Sequence, residues 1–426
     1  MNFKLPSLFF SLFLLYTIPG ISQDFYIDAD IRPRFEYRHG FGNLFPNDAK
    51  PAVFVTQRSR LNLGYISEKL ETFISVQDVS TWGDTRQILP NDHNDSFSLF
   101  QAWAQLQLSD YLAVKLGRQV ISYDDQRIFG GLDWAMQGRF HDALLLKYNS
   151  TGLLIDLGVA YNQEDQYLTG NTYAIQGFFS YKTMQYVYLK KQLGTANFSF
   201  LFLNNGFQKF AGENNDQPNG LYNRQTAGSY FKIPAGALQM SGSAYYQFGY
   251  SNPQQKLSAY QFSLLGEYKL NNTQYGLGLE MLSGTDRQSN GINNSFFPLY
   301  GTNHKFNGFM DYFYVGNHAN SVGLNDFYGK INFNTSKVNS LLLKAHYFIT
   351  NASLRENTEN YLGTEVDAVF THKFSKDISL NVGYSHMFPS KNMGILKGKN
   401  YQNTNNWAWA QLTITPRIFH HNLVKD

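Results

Sequence analysis

Residues 25–38 read FYIDADIRPRFEYR, and they alternate without a break. Ile27, Ala29, Ile31, Pro33, Phe35 and Tyr37 fall on one side of an extended chain. Asp28, Asp30, Arg32, Arg34, Glu36 and Arg38 fall on the other. Period two over this length defines a strand whose two faces meet different solvents. Residues 54–65, FVTQRSRLNLGY, repeat the pattern, with Val55, Leu61, Leu63 and Tyr65 opposing Thr56, Arg58, Arg60 and Asn62. In residues 70–77 Leu70, Thr72, Ile74 and Val76 oppose Glu71, Phe73, Ser75 and Gln77. Residues 153–161 (LLIDLGVAY), 275–281 (YGLGLEM) and 377–385 (DISLNVGYS) alternate as well.

Composition fits two solvents. The chain has 426 residues, of which 43% are hydrophobic, 16% aromatic and 16% charged. Soluble domains average about 25% charged. The deficit is filled by 36 Phe, 29 Tyr and 35 Gly, with many Asn, Gln and Ser. Mean hydropathy is still only −0.36. The first residues, MNFKLPSLFFSLFLLYTIPGISQ, read as a secretory signal peptide over 1–23: one lysine, an apolar run from Leu5 to Ile18, then Pro19 and small residues. That run is too short for a helical span, which needs about 20 residues. No later segment approaches that length, so no membrane-spanning helix is expected. The absence of Cys excludes a lipid-anchored lipoprotein and a disulfide framework. Without Lys4 the chain has one fewer than 35 basic residues against 32 acidic ones. So near-neutral a chain gives no reason to expect nucleic acid.

Strands recur through the chain with connections of two kinds. Short turns fall at Ser67-Glu68, Ser109-Asp110, Asn271-Asn272 and Ser375-Lys376. Long polar loops are expected near 39–52, 80–97, 120–138, 205–221, 284–322, 350–360 and 388–404. This parity is the layout of a transmembrane antiparallel up-and-down β-barrel, with short periplasmic turns and long extracellular loops. Reading 176–190 and 195–204 as two strands keeps the order and gives about eighteen strands. Residues 24–426 then form one barrel domain. The last clear strand is NNWAWAQLTIT, with Trp407 and Trp409 expected in an interfacial aromatic girdle and Leu412 and Ile414 facing lipid. The tail after Pro416 departs from the pattern. Barrels of 16–18 strands leave an aqueous channel, so transport is the expected class.

Between two apolar strands lies a charged stretch, GRQVISYDDQRIFGGLDWAMQGRFHD, from Gly117 to Asp142. The longer run Leu116–Tyr148 resembles the alginate export porins of bacterial outer membranes. The Gly-Arg-Gln, the Tyr-x-Asp-x-x-Arg core, the Leu-Asp-Trp and the Gly-Arg with a following Asp carry the resemblance. Residues 296–313 (FFPLYGTNHKFNGFMDYF) and 362–388 add weaker support. The resemblance implies an eighteen-strand barrel of the outer membrane with a narrow, basic conduit for an anionic polyuronate. It implies conduit roles for Arg118 by motif, and for Arg127 and Arg139 by position. An exporter of this kind would also work with periplasmic export components.

Physical reasons run alongside the resemblance. Rings of Arg or Lys select anions, and Arg meets carboxylates in bidentate fashion. Arg32, Arg34, Arg58 and Arg60 all lie on the hydrophilic faces of their strands. They either line the conduit or pair within the lumen with Asp28, Asp30, Glu36 and Glu71, and the two roles are compatible. Alternation from Leu116 alone turns Arg118 to lipid; a bulge at Gly117 is what would re-aim it. Asp124, Asp125 and Asp133 are expected to fix nearby arginines, Asp124 and Asp125 chiefly as ion-paired loop residues. His141-Asp142 and His304-Lys305 lack any surrounding catalytic pattern, and Gly394–Lys399 (GILKGK) has the wrong glycine spacing for a phosphate loop. It reads as a basic extracellular loop. The surplus of Tyr and Phe reads as girdle and lipid-facing surface. No enzyme, metal or cofactor is expected. The expected function is passive passage of anionic solutes or polysaccharide, with outer-membrane lipids as the surroundings. A general porin, or a loop-occluded structural or adhesive barrel, is the alternative.

Overall fold

The computed structural model describes residues 23–85, 87, 96–175, 180–214, 216–287, 291–355 and 359–422. Apart from Gln23, the expected signal peptide lies outside them. None of the described helices is long and apolar enough to cross a membrane.

The chain runs up and down as antiparallel hairpins. The first quarter is β1 (Asp24–His39), β2 (Ala52–Ile66), β3 (Leu70–Thr81), β4 (Ser98–Gln107) and β5 (Leu112–Gln119). Next come β6 (His141–Ser150), β7 (Leu153–Tyr161), β8 (Thr183–Leu193), β9 (Ala196–Ala211) and β10 (Gln217–Ala235). Then follow β11 (Leu238–Asn252), β12 (Gln255–Leu270), β13 (Thr273–Leu282), β14 (Leu324–Asn334) and β15 (Asn339–Ile349). The chain ends with β16 (Tyr361–Lys373), β17 (Ile378–Pro389), β18 (Asn405–Ile414) and β19 (Arg417–Asn422). Each strand pairs with the next, up to β18.

Closure falls on β1. Its upper residues pair with β18, from Ile31↔Ile414 to His39↔Asn406. Its lower residues pair with β19, from Asp24↔Asn422 to Asp28↔Arg417. β18 and β19 are thus two halves of an eighteenth barrel strand, and the segment after Pro416 belongs to the barrel. Proline has no N–H to give to the ladder. At this break the Ala29 N–H donates to the Pro416 carbonyl at 3.1 Å and the Thr415 N–H to the Asp377 carbonyl at 2.8 Å.

Connections at the β2–β3 end have two to four residues throughout, and this is the periplasmic end. Three of the opposite loops matter below. L3 spans 120–140, L7 spans 283–323 and L9 spans 390–404. The expected loop at 205–221 shrinks to 212–216, because β9 and β10 extend beyond the membrane belt. The expected strand at 176–190 begins only at Thr183; residues 176–179 lie outside the described set. A tight 253–254 hairpin joins β11 to β12 at the loop end, so loop length alone does not keep strict parity.

The outward face is apolar: Phe35, Leu61, Ile74, Phe262 and Val382 are all exposed. Trp407 and Trp409 instead point inward and are buried. Leu412 and Ile414 face out, so period two carries 407 and 409 to the lumen. There the Trp407 indole N–H donates to Glu36 Oε2 at 3.0 Å.

Leu277 sits mid-strand on the lipid face and is 77% exposed. Leu277→Arg is expected to destabilise the barrel by about 2–4 kcal/mol. Reversible unfolding in bilayers measures this, and an unchanged midpoint would overturn the facing assignment.

Candidate functional site

β1 and β2 pair with Arg32 directly opposite Arg58 and Asp30 opposite Arg60. Like charges directly opposite destabilise a sheet. Here two carboxylates resolve the conflict. Arg58 Nη2 pairs with Asp30, and Arg58 Nη1 lies 3.1 Å from Asp133 Oδ1. Arg32 Nη1 reaches Asp133 Oδ2 at 2.9 Å, and its Nη2 reaches Asp30 Oδ2 at 3.3 Å. Asp133 comes from L3, so a loop about a hundred residues away completes the wall. Arg58 is fully buried, whereas the Asp133 side chain remains 68% open.

The neighbouring arginines are held as firmly. Arg34 Nε donates to Glu36 Oε1 at 2.9 Å and Arg34 Nη1 to the Trp134 carbonyl at 2.8 Å. Arg38 Nε donates to Glu36 Oε2 at 2.8 Å. Arg60 gives both Nε and Nη2 to Gln77 Oε1, at 3.1 and 2.7 Å. Arg34 lies over Trp134 at 4.1 Å and Arg60 over Phe100 at 3.7 Å. Planar guanidinium on a ring loses little freedom when its fork binds.

L3 and L7 fold into the lumen and meet there. Gly130 N–H donates to the Tyr300 carbonyl and Thr302 N–H to the Gln126 carbonyl, each at 2.9 Å. A Cβ on Gly301 would lie 2.2 Å from the Arg127 carbonyl oxygen, so glycine is needed for this approach. Phe296, Phe297, Leu299, Tyr300, Met310 and Tyr312 are buried in the resulting core. Much of the aromatic surplus therefore packs inside the barrel, in addition to its lipid face.

Arg127 locks this plug to the wall. Its Nε lies 2.8 Å from Glu280 Oε1, and its Nη2 donates to Glu280 Oε2 at 2.9 Å and Asn307 Oδ1 at 3.0 Å. Arg139 Nη1 donates to the Gly301 carbonyl at 3.1 Å, and burial lowers its pKa. Asp124 accepts from Tyr188 and Ser199, both at 2.7 Å. Asp125 accepts from the Arg127 N–H at 3.1 Å, while burial pushes its carboxyl up to about 6. Asp124 and Asp125 thus bind the wall and the loop backbone, and the arginine-fixing aspartate is Asp133. L9 adds a latch. It contains the helix α1 (Lys391–Lys397), whose Lys397 Nζ donates to the Tyr312 and Asn317 carbonyls. The GILKGK segment is therefore a clamp on L7.

A family model for alginate export matches residues 25–405. The chain belongs to the alginate export family. Solved outer-membrane structures share its fold. OccK9 (OpdG) of Pseudomonas aeruginosa superposes with a TM-score of 0.62 at 12% identity, over 92% of this chain and 98% of that one. OpdK of the same organism, crystallised with vanillate, gives 0.59 at 10%, over 93% and 98%. OccAB4 of Acinetobacter baumannii gives 0.58 at 12%, over 94% and 99%. Identities this low establish the architecture alone. A search of curated proteins gives no match. This alginate export family member is an outer-membrane β-barrel, and its family is one of channels.

Arg118 does not join the luminal wall. Pairing on both sides of β5 passes Gly117 without a register shift. Gly117 adopts φ +115, and no bulge re-aims the next side chain. Arg118 therefore stays on the Leu116 face, outside the barrel. There its Nε and Nη2 bind Asp142 at 2.9 and 3.0 Å. His141 points the other way, buried, with Nδ1 2.9 Å from the Tyr181 hydroxyl. His141 and Asp142 thus cannot act as a dyad.

Other luminal charges escaped the motif reading: Arg38, Glu280, Lys232, Lys330 and Lys344. Each sits on the hydrophilic face of an alternating strand, so the rule that found Arg58 reaches them too.

Breaking the buried Arg127–Glu280 pair costs about 3–5 kcal/mol. Arg127→Gln should therefore lower the unfolding midpoint and raise open-channel noise as L3 loosens; a quiet, equally stable variant would refute the lock. Asp125 supplies a pH dependence. Docked L3 holds this proton between about pH 4 and 6, whereas an undocked loop releases it. Docking is thus strongest below about pH 4 and weakens as pH rises through 6. Gating noise should climb over that window and level off above it. Asp125→Asn should flatten the profile.

Proposed function

We propose that the barrel passes anionic solutes along the β1–β2 wall where L3 meets it, past Arg32, Arg34, Arg58 and Arg60. One observation carries this reading. Asp133 joins Arg32 and Arg58, yet its side chain stays largely open to solvent inside the barrel. Water reaches the carboxylate that bridges the two forks, so a solute carboxylate reaches Arg32 and Arg58 by displacing it.

The transfer step is an exchange of partners. An arriving carboxylate displaces Asp133 from one fork and is displaced by it on leaving. Conduction needs sites that bind but also release. Asp30, Glu36 and Asp133 keep the wall from holding its cargo. A polyuronate offers one carboxylate per ring, which suits a row of such sites. Family membership supports that cargo, and a small anion uses the same chemistry. Outer-membrane lipids surround the apolar belt, and outward polysaccharide movement would call for periplasmic export components. Arg127 and Arg139 serve by holding the loops that narrow the lumen.

Single-channel recording in a salt gradient tests the proposal. Wild type should show an anion-selective reversal potential, and added oligouronate should block it. Arg32→Gln/Arg58→Gln should bring the reversal potential close to zero. Asp133→Asn should raise anion selectivity and lengthen blocks several-fold, because the competitor is gone. Selectivity indifferent to all three changes would leave a general porin. Absence of conductance would leave a barrel sealed by L3 and L7.

A further inference from the structure

A second basic site lies across the lumen. Eighteen strands place β10–β15 opposite the arginine wall. In their periplasmic half, beneath L3 and L7, is a cavity of about 380 Å³. Lys232, Lys305, Lys330 and Lys344 line it, from three strands and L7.

The acids of this cavity are already engaged. Glu267 takes Lys330 at 2.7 Å. Glu280 takes Arg127, and Asp326 Oδ1 lies 2.9 Å from His346 Nδ1. Asp125 accepts from its own loop. Lys305 donates to a backbone carbonyl, that of Asp125, at 2.9 Å, and forms no ion pair among the described residues. Among the described residues, Lys232 and Lys344 form no ion pair. Lys344 rests instead 4.7 Å from the Phe309 ring centre and 5.6 Å from that of Tyr328. Three ammonium groups that form no ion pair among the described residues, one of them opposite Asp367 across the β15–β16 ladder, thus converge on a space walled by Phe306, Phe309, Tyr328 and Leu342. Its volume is at the small end of ligand pockets, which run from about 300 to 1,000 Å³.

We propose that this cavity binds a carboxylate carried on a single six-membered ring, entering from the periplasmic end. The lysines take the carboxylate and the aromatic walls cover the ring face. Two sources share this chemistry: a free small acid, and the terminal ring of a polyuronate. The inference rests on the proposed function only for the sign of the solute, because the site is separate from the arginine wall.

Calorimetric titration of the detergent-solubilised full chain tests it, with galacturonate, trigalacturonate, benzoate and acetate as probes. At least one ring carboxylate should bind tenfold or more tightly than acetate. Lys232→Gln/Lys344→Gln should weaken that binding at least tenfold and Lys344→Arg should retain it. Lys69→Gln, in the exposed β2–β3 turn, should leave it unchanged. Heat-modifiable gel mobility confirms folding. Should the double variant fail to fold, Lys232→Gln, at an exposed luminal position, carries the comparison. Preference for trigalacturonate identifies a chain end as the source, and preference for either single-ring acid a free solute. Equal binding of acetate, or tight binding that survives the lysine changes, overturns the site. In that event a normal reversal potential still leaves the arginine conduit standing.

Discussion

Inside a bilayer no water satisfies an exposed N–H or C=O, so every strand edge must find a partner. That constraint fixes the ring of strands and makes β1 its seam. β18 alone covers only the upper part of β1. Left there, Asp24–Asp28 would present an open edge. The chain passes Pro416 at the cost of one local break and resumes as β19. Arg417 then pairs with Asp28 at 2.8 Å, which fixes the lower register.

Closure sends half of every strand's side chains inward, and their chemistry decides what fills the lumen. Arg32 facing Arg58 across β1 and β2, with Arg34 and Arg60 beside them, is unfavourable unless acids intervene. Asp30 and Glu36 supply part of the balance from the same strand. The remainder comes from Asp133, and with it the whole of L3. Once L3 is inside, Gly130 and Gly301 let L7 lie against it, and L7 carries its aromatic core into the barrel. The narrowing of this wide barrel thus follows from pairing of charges on its wall.

Strand alternation was readable because it is local. The strand number follows from the alternation of short and long connections, and the faces of Arg32, Arg34, Arg58 and Arg60 and the lipid face follow from period two. The same rule, applied without exception, also places Trp407 and Arg118 correctly. Expecting a girdle for the first and a bulge for the second set it aside, and the structure follows the rule. What alternation does not reach is loop placement. The contacts of Arg127 with Glu280, or of Asp133 with Arg58, join residues 153 and 75 positions apart. No spacing within L3 encodes them. Two of the segments that carried the family resemblance, 116–148 and 296–313, do meet in the lumen, but only the folded chain shows that they pack together.

A nearly neutral barrel with a basic wall is a different object from a strongly cationic pore. Uncompensated guanidiniums would hold a polyanion at many points at once, and each bidentate contact is strong in a desolvated site. Net charge close to zero avoids this. Arg32, Arg34 and Arg58 keep a carboxylate within reach, so in the proposed exchange the cost of releasing a solute would be offset by re-forming the internal pair. Selectivity then depends on which carboxylates can move. Asp30 and Glu36 are fixed on a strand, whereas Asp133 is carried by a loop. If the proposed exchange holds, its rate is set by the docking of L3, through Arg127, Gly301 and Asp125, rather than by the wall arginines.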